Sequence, residues 1–127
     1  MTGLAGISRQ RFAIHTPLCQ GVRPRYGAAE RHAVIEASQW EFPPLFALLQ
    51  EGGAIAPEEM ARTFNCGIGM VAIVGAADSE AVMARLEAAG EKASVIGIIE
   101  SGPRGCTVSG VAGSWASAED WTAKHDA

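Results

Sequence analysis

The chain has 127 residues, 48% hydrophobic and 19% charged, with a net charge of −4. That size and composition fit one small globular domain with its own core and exclude global disorder. The acidic balance excludes a globally basic nucleic-acid binder, and no apolar run approaches the roughly 20 residues of a membrane helix.

Charge is unevenly spread. Residues 1–31 hold five arginines against one acid, Glu30, for a net +4, and residues 32–127 carry −8. The opening segment also lacks a helical or strand repeat, so it cannot easily bury a face. It reads as an irregular Arg-rich segment with three open explanations: a flexible arm, an anion-binding basic arm, or residues that are not native coding sequence, as after a frameshift.

Patterning begins near residue 33. A short apolar stretch predicts a strand at 33–36. Pro43 and Pro44 suit a first helical turn, and Leu45, Phe46, Leu48 and Leu49 follow as a stripe, which predicts a helix over 43–51 closed by Gly52 and Gly53. Pro57 opens a second helix to about Thr63, with Glu58 and Glu59 at its positive end. Continuous apolar runs predict buried strands at 68–74, 93–100 and 105–111. Between the first two lies a helix with Asp78 as cap, Val82, Met83, Leu86 and Ala89 on one face, and Gly90 at its end.

This order is α+β: a small mixed sheet of three to four strands covered by helices. The strands flanking the third helix are expected parallel, and 93–100 with 105–111 is expected as a hairpin. Residues 32–112 form the expected domain. Residues 113–127, Ser- and Ala-rich with Trp115 and Trp121, read as a flexible tail with at most one helical turn after Ser117.

Three cysteines at wide spacing give no disulfide framework and suit a reducing compartment. No Cys-x-x-Cys and no clustered His supply the spacing of a zinc site, so no metal ligands are assigned. The N-terminus has no signal-peptide layout, which gives a cytoplasmic expectation. Aromatic residues are few, one Tyr and four Phe, so base stacking is not expected.

One segment stands out: Arg62-Thr63-Phe64-Asn65-Cys66-Gly67-Ile68-Gly69-Met70, joining a helix end to a buried strand. Its glycines allow close backbone approach, and Asn65 tolerates left-handed geometry while offering donor and acceptor groups. The plain alternative is a helix cap and tight turn. Gly67-x-Gly69-x-x-Ala72 resembles a dinucleotide fingerprint only superficially, because that motif needs a strand before it and a helix after it. Cys66 has no His nearby in sequence to activate it and reads as a buried thiol, as does Cys106 within a strand. Trp40, Phe42 and Phe46 read as a hydrophobic cluster at a helix entrance. The catalytic residues are not identified.

Taken together and in order, these motifs resemble the phosphoribosylaminoimidazole synthetase (phosphoribosylformylglycinamidine cyclo-ligase) family in its C-terminal region. The resemblance rests on Trp40-x-x-Pro43-Pro44-x-Phe46, on Arg62-Thr63-Phe64-Asn65, on Gly67-x-Gly69-Met70, and on the later Gly90-Glu91 and Ile96-Gly97 pairs. It spans roughly residues 33–111. It implies a partial C-terminal domain of the synthetase type. The implied reaction is closure of the imidazole ring of formylglycinamidine ribonucleotide with ATP and magnesium, giving aminoimidazole ribonucleotide, ADP and phosphate. It also implies a homodimer in the full-length family, and no nucleic-acid or membrane partner. Asn65, Gly67 and Gly69 then lie near the substrate cleft, with Thr63 and Phe64 shaping the loop.

The family is much longer. Its ATP- and magnesium-binding half has no counterpart here, and Met1–Gly6 is only a depleted echo of its glycine-rich loop, with Thr2 and Gly3 as candidate relics. The resemblance therefore implies a fragment inactive alone. The alternatives are a non-catalytic scaffold that pairs with a full-length synthetase, or a fragment of a sister ATP-dependent synthetase.

Overall fold

A computed structural model describes residues 2–8 and 31–126 of the protein. Along these residues run β1 (Thr2–Ser8), β2 (Arg31–Glu36), α1 (Pro44–Gly53), α2 (Pro57–Thr63), β3 (Met70–Gly75), α3 (Ser79–Ala88), β4 (Lys92–Ser101), β5 (Gly105–Gly110) and β6 (Trp121–Asp126). Short 3-10 turns occupy Ala37–Gln39, Ala76–Asp78 and Ser114–Ala116. The strands form a mixed sheet ordered β3-β1-β4-β2-β5-β6. Among the described strands, only the β2–β5 pair is parallel.

The α+β class and the helices follow the sequence pattern, and the expected strands are β2 to β5. Two further strands complete the sheet. Trp121–Asp126, expected as tail, is β6, paired antiparallel with β5. Its alternation explains the pairing: Trp121 and Ala123 are buried while Thr122 and Lys124 are exposed, the period of a half-buried strand. Thr2–Ser8, expected as irregular, is β1 and lies between β3 and β4. The rest of the Arg-rich opening, 9–30, lies outside the described residues. The one helical turn expected after Ser117 instead precedes it, at Ser114–Ala116.

The expected neighbours are each separated by one strand. β3 and β4 share a direction, but β1 sits between them. β4 and β5 do not form a hairpin, because β2 sits between them. Three residues, 102–104, link β4 to β5 past the start of β2, where Arg31 faces Ser101 and His32 faces Gly105. Two strand spacings are roughly 10 Å, within reach of so short an extended link. His32 secures this crossing: Nδ1 donates to the Pro103 carbonyl at 3.1 Å, and Nε2 shares a hydrogen bond with the Thr107 hydroxyl at 2.6 Å.

Local chemistry sets the helix ends. Pro44 and Pro57 each sit in a first turn, where a missing N–H costs nothing. The left-handed cap of α1 is Ala54 rather than Gly52 or Gly53, which remain helical. Asp78 precedes α3 without a side-chain cap, because Ala76–Asp78 already winds as a 3-10 turn and Ser79 Oγ bonds the Ala76 carbonyl instead. Gly90, at φ +83°, closes α3 as expected.

The core gathers Ala33 and Ile35 of β2, Ile96 and Ile99 of β4, and Cys106 and Val108 of β5. Trp121 and Ala123 of β6 and Phe46, Met60 and Ala61 of α1 and α2 join it. Cys106, expected as a buried thiol with no disulfide in the chain, is instead disulfide-bonded, while Cys66 is the free, buried thiol expected. Gly97 holds β4 close to β2: a Cβ there would stand 2.0 Å from the Val34 carbonyl oxygen. The expected α1 stripe is only half used. Phe46 is buried and Leu49 packs against the core, but Leu45 and Leu48 face outward, Leu48 at 67% exposure.

Candidate functional site

The sequence-nominated loop leaves α2 at Phe64, an extended residue whose N–H still bonds the Met60 carbonyl at 2.9 Å. The chain then turns sharply over residues 65–68. Asn65 is 6% exposed, and its Oδ1 accepts the Gly67 N–H at 2.9 Å. The Ile68 N–H closes the turn on the Asn65 carbonyl at 3.1 Å. Both central residues are left-handed, Cys66 at φ +52° and Gly67 at +102°. Only glycine fits the second position, because a Cβ there would lie 2.6 Å from Pro43 Cγ.

Trp40 braces the turn from outside, its indole N–H donating to the Cys66 carbonyl at 2.9 Å. Inside, the Cys66 thiol is 0% exposed and donates to the Met60 carbonyl at 3.3 Å. Burial pushes its pKa well above the ordinary thiol value, because the thiolate would lose its hydration. A thiol held neutral and out of solvent is not a nucleophile. Its role is structural, as its sequence context suggested.

The nominated residues therefore divide. Asn65 and Gly67 are buried beneath the surface, where they shape the turn. Thr63 is exposed, and Phe64 and Gly69 are half-buried. Phe64 meets the ring of Phe46 edge-on at 6.2 Å. Thr2 and Gly3 lie on β1, far along the chain but in the same sheet, with Thr2 opposite Gly75 and Ile99.

A shallow cavity of about 450 Å³ opens elsewhere on Trp40. Its walls are Ala37, Ser38, Trp40 and Phe42 on one side and residues 111–115 on the other, with Trp40, Phe42 and Trp115 as the aromatic residues. Phe42 stacks on Trp115 at 4.7 Å and 16°, and Trp40 meets Trp115 edge-on at 5.8 Å. Trp40 thus belongs to both features: it bonds the turn and lines the cavity. Sequence reasoning placed Trp40 and Phe42 in a cluster with Phe46, and the structure adds Trp115. The available signal was the pair of tryptophans in a segment read as tail.

Comparison with known proteins covers the turn at 65–68 but not the second wall of the cavity. A family model described as "AIR synthase related protein, C-terminal domain" matches residues 27–108. Phosphoribosylformylglycinamidine cyclo-ligases of Burkholderia vietnamiensis and Burkholderia ambifaria are each 49% identical to the chain over 73 residues, 58% of this chain and 21% of theirs. The protein of that name from Burkholderia cenocepacia is 51% identical over 69 residues, 54% of this chain and 20% of its own. The chain spans about a fifth of the length of the curated relatives it matches.

Proposed function

The chain belongs to the family of AIR synthase related proteins, matching their C-terminal domain, and from this membership we propose that it is part of a phosphoribosylformylglycinamidine cyclo-ligase. The observation that supports the reading is the family match over residues 27–108, together with 49% identity to the relatives over 73 residues. The reaction so assigned closes the imidazole ring of formylglycinamidine ribonucleotide at the expense of ATP, releasing aminoimidazole ribonucleotide, ADP and phosphate. In this reading the chain's share of the work is positional. The buried turn at 65–68 fixes a rigid edge, and Thr63, Phe64 and Gly69 present that edge to the substrate. Asn65 and Gly67 act by holding it in place.

Among the described residues no three His, Cys, Asp or Glu side chains converge as metal ligands, and no residue of this chain is assigned to magnesium or ATP. No step through ATP is assigned to this chain, and it is inactive alone in this reading. Its setting is a cytoplasmic homodimer of the full-length enzyme. No described helix is long and apolar enough to cross a membrane.

Two measurements test this. The chain is incubated with formylglycinamidine ribonucleotide, ATP and magnesium, and aminoimidazole ribonucleotide is assayed. No product above a heat-killed control is expected, and a measurable rate overturns the inactivity. Amide NMR of the chain with the ribonucleotide alone is expected to move the Thr63, Phe64 and Gly69 signals. A spectrum unchanged at millimolar ligand removes the substrate-edge role.

A second reading has its own observation. Leu45 and Leu48 on α1, Met70 and Ile73 on β3 and Val95 on β4 are all exposed apolar side chains. Such surface suits a non-catalytic module that docks on a full-length synthetase. Sedimentation of the chain mixed with a full-length cyclo-ligase separates the readings: a complex without any gain in ring closure favours the module.

A further inference from the structure

The aromatic cavity carries features that family membership does not explain. Residues 111–115, one of its walls, lie beyond the matched region, which ends at residue 108. Two polar atoms of this wall, Ser114 Oγ and Trp115 Nε1, are buried without a hydrogen-bond partner. Trp115 is 5% exposed. Buried polar groups are nearly always bonded, so two adjacent orphans in one loop call for a physical reason. The backbone of the same loop is strained: Gly113, Trp115 and Ala116 have φ of +93°, +51° and +58°. Left-handed tryptophan and alanine in succession persist only where surrounding contacts impose them.

Those contacts are identifiable. Gln50 Nε2 donates to the Trp115 carbonyl at 2.9 Å, and Asp120 Oδ1 accepts the Ala112 N–H at 2.8 Å. The loop is thus clamped from α1 and from the approach to β6, with its side-chain donors left over. The cavity's volume lies within the roughly 300–1,000 Å³ common for small-molecule sites. The half-buried rings of Trp40 and Phe42 supply its aromatic surface, the two unpaired donors lie buried behind its wall, and none of its lining residues is charged. Stacking surfaces select a planar ligand, the missing partners select an acceptor, and the lack of charge selects a neutral molecule.

We propose that the cavity between residues 37–42 and 111–115 binds a small, uncharged, planar heteroaromatic molecule whose ring acceptor bonds Trp115 Nε1. That atom is closed to solvent in the described conformation, so binding proceeds with opening of the 111–117 loop. The orphan donors and the left-handed backbone lower the cost of that opening, because the closed loop already lacks bonds that the open, liganded loop makes. This inference stands apart from the cyclo-ligase reading and needs neither its substrate nor its activity.

The test is an NMR titration of the whole chain with benzimidazole, which has a ring-nitrogen acceptor, and with indole, which matches its shape without one. The indole N–H signals of Trp40, Trp115 and Trp121 are followed. Benzimidazole is expected to move the Trp115 signal saturably, with indole at least fivefold weaker. Ala112→Trp, at an exposed position on the cavity rim, is expected to abolish binding in a folded chain. Trp115→Phe keeps a ring and removes the donor, and is expected to reduce benzimidazole affinity at least fivefold, to the level of indole. If that variant loses its dispersed spectrum, the wild-type Trp115 shift decides: a saturable shift with benzimidazole that is at least fivefold weaker with indole supports the bond, and equal shifts overturn it. No saturable shift at Trp115 up to the solubility of benzimidazole overturns the proposal. So does equal affinity for both probes.

Discussion

Two tight loops in this molecule force non-glycine residues into the left-handed region, and they treat their polar groups differently. In the 65–68 turn, Cys66 is left-handed at φ +52°, yet its carbonyl bonds Trp40, its thiol bonds Met60 and the flanking Gly67 amide bonds Asn65. In the 111–117 loop, Trp115 and Ala116 are equally left-handed, yet Trp115 Nε1 and Ser114 Oγ have no partner. Strain with every nearby donor satisfied marks a folding device. Strain with donors left over marks a place where something else completes the bonding. The first loop is where the sequence drew attention. The second is where the unfinished chemistry is.

The largest expected effect breaks the first loop. Gly67→Ala places a methyl 2.6 Å from Pro43 Cγ and a side chain at φ +102°. Overpacking and left-handed strain together are expected to cost about 3 kcal/mol in urea unfolding. A loss under about 1 kcal/mol would show that the turn relaxes freely and is no device at all. Asn65→Ala comes next. It strands the buried Gly67 N–H, an expected loss of about 2 kcal/mol. Full retention of stability in that variant would place the bond's weight elsewhere.

A pH difference sharpens the contrast, because residues 111–117 contain no titratable side chain and the 65–68 turn contains Cys66. Burial raises the folded thiol's pKa above its ordinary 9.0. The group's contribution is therefore complete below the unfolded thiol's pKa and is lost as pH rises beyond it. The stability of wild type relative to Cys66→Ala is expected to stay level up to about pH 8.5 and then fall by about 1.4 kcal/mol per pH unit. Parallel curves for the two proteins up to pH 10.5 would mean the thiol is not buried.

How far the sequence could be read follows the same division. The helices and β2 to β5 were legible because proline starts, charged first turns and apolar runs act locally. The Asn65-Cys66-Gly67 turn was legible only in part: Gly67 is left-handed as its chemistry allows, but its left-handed neighbour is Cys66, and Asn65 serves through its side-chain acceptor instead. Strand order was not. Nothing within 102–104 says that β2 will slide between β4 and β5, since that depends on a partner 70 residues away. β6 hid in plain alternation, Trp121 and Ala123 inward with Thr122 and Lys124 outward, because Ser and Ala before it weakened the signal. The left-handed Trp115 could not be foreseen from tryptophan, whose own preference opposes it. Gln50, 65 residues away, helps to impose it.

The smallest expected effect asks whether the second loop is strained at all. Ala116→Gly removes a Cβ from a residue at φ +58° that is exposed, so no packing is lost. Relief of the left-handed conformation outweighs glycine's extra unfolded-state entropy by a margin of about 0.5–1 kcal/mol. Ala54→Gly supplies the internal standard. Ala54 is left-handed at φ +51° in an ordinary helix cap, its N–H bonded to Glu51 and its geometry set locally. Both substitutions are expected to raise the melting temperature by a similar amount. If Ala54→Gly stabilises and Ala116→Gly does not, the 111–117 loop already leaves the left-handed state in solution without a ligand, and its donors reach water by that route. The contrast between the two loops would then be one of mobility rather than of stored strain.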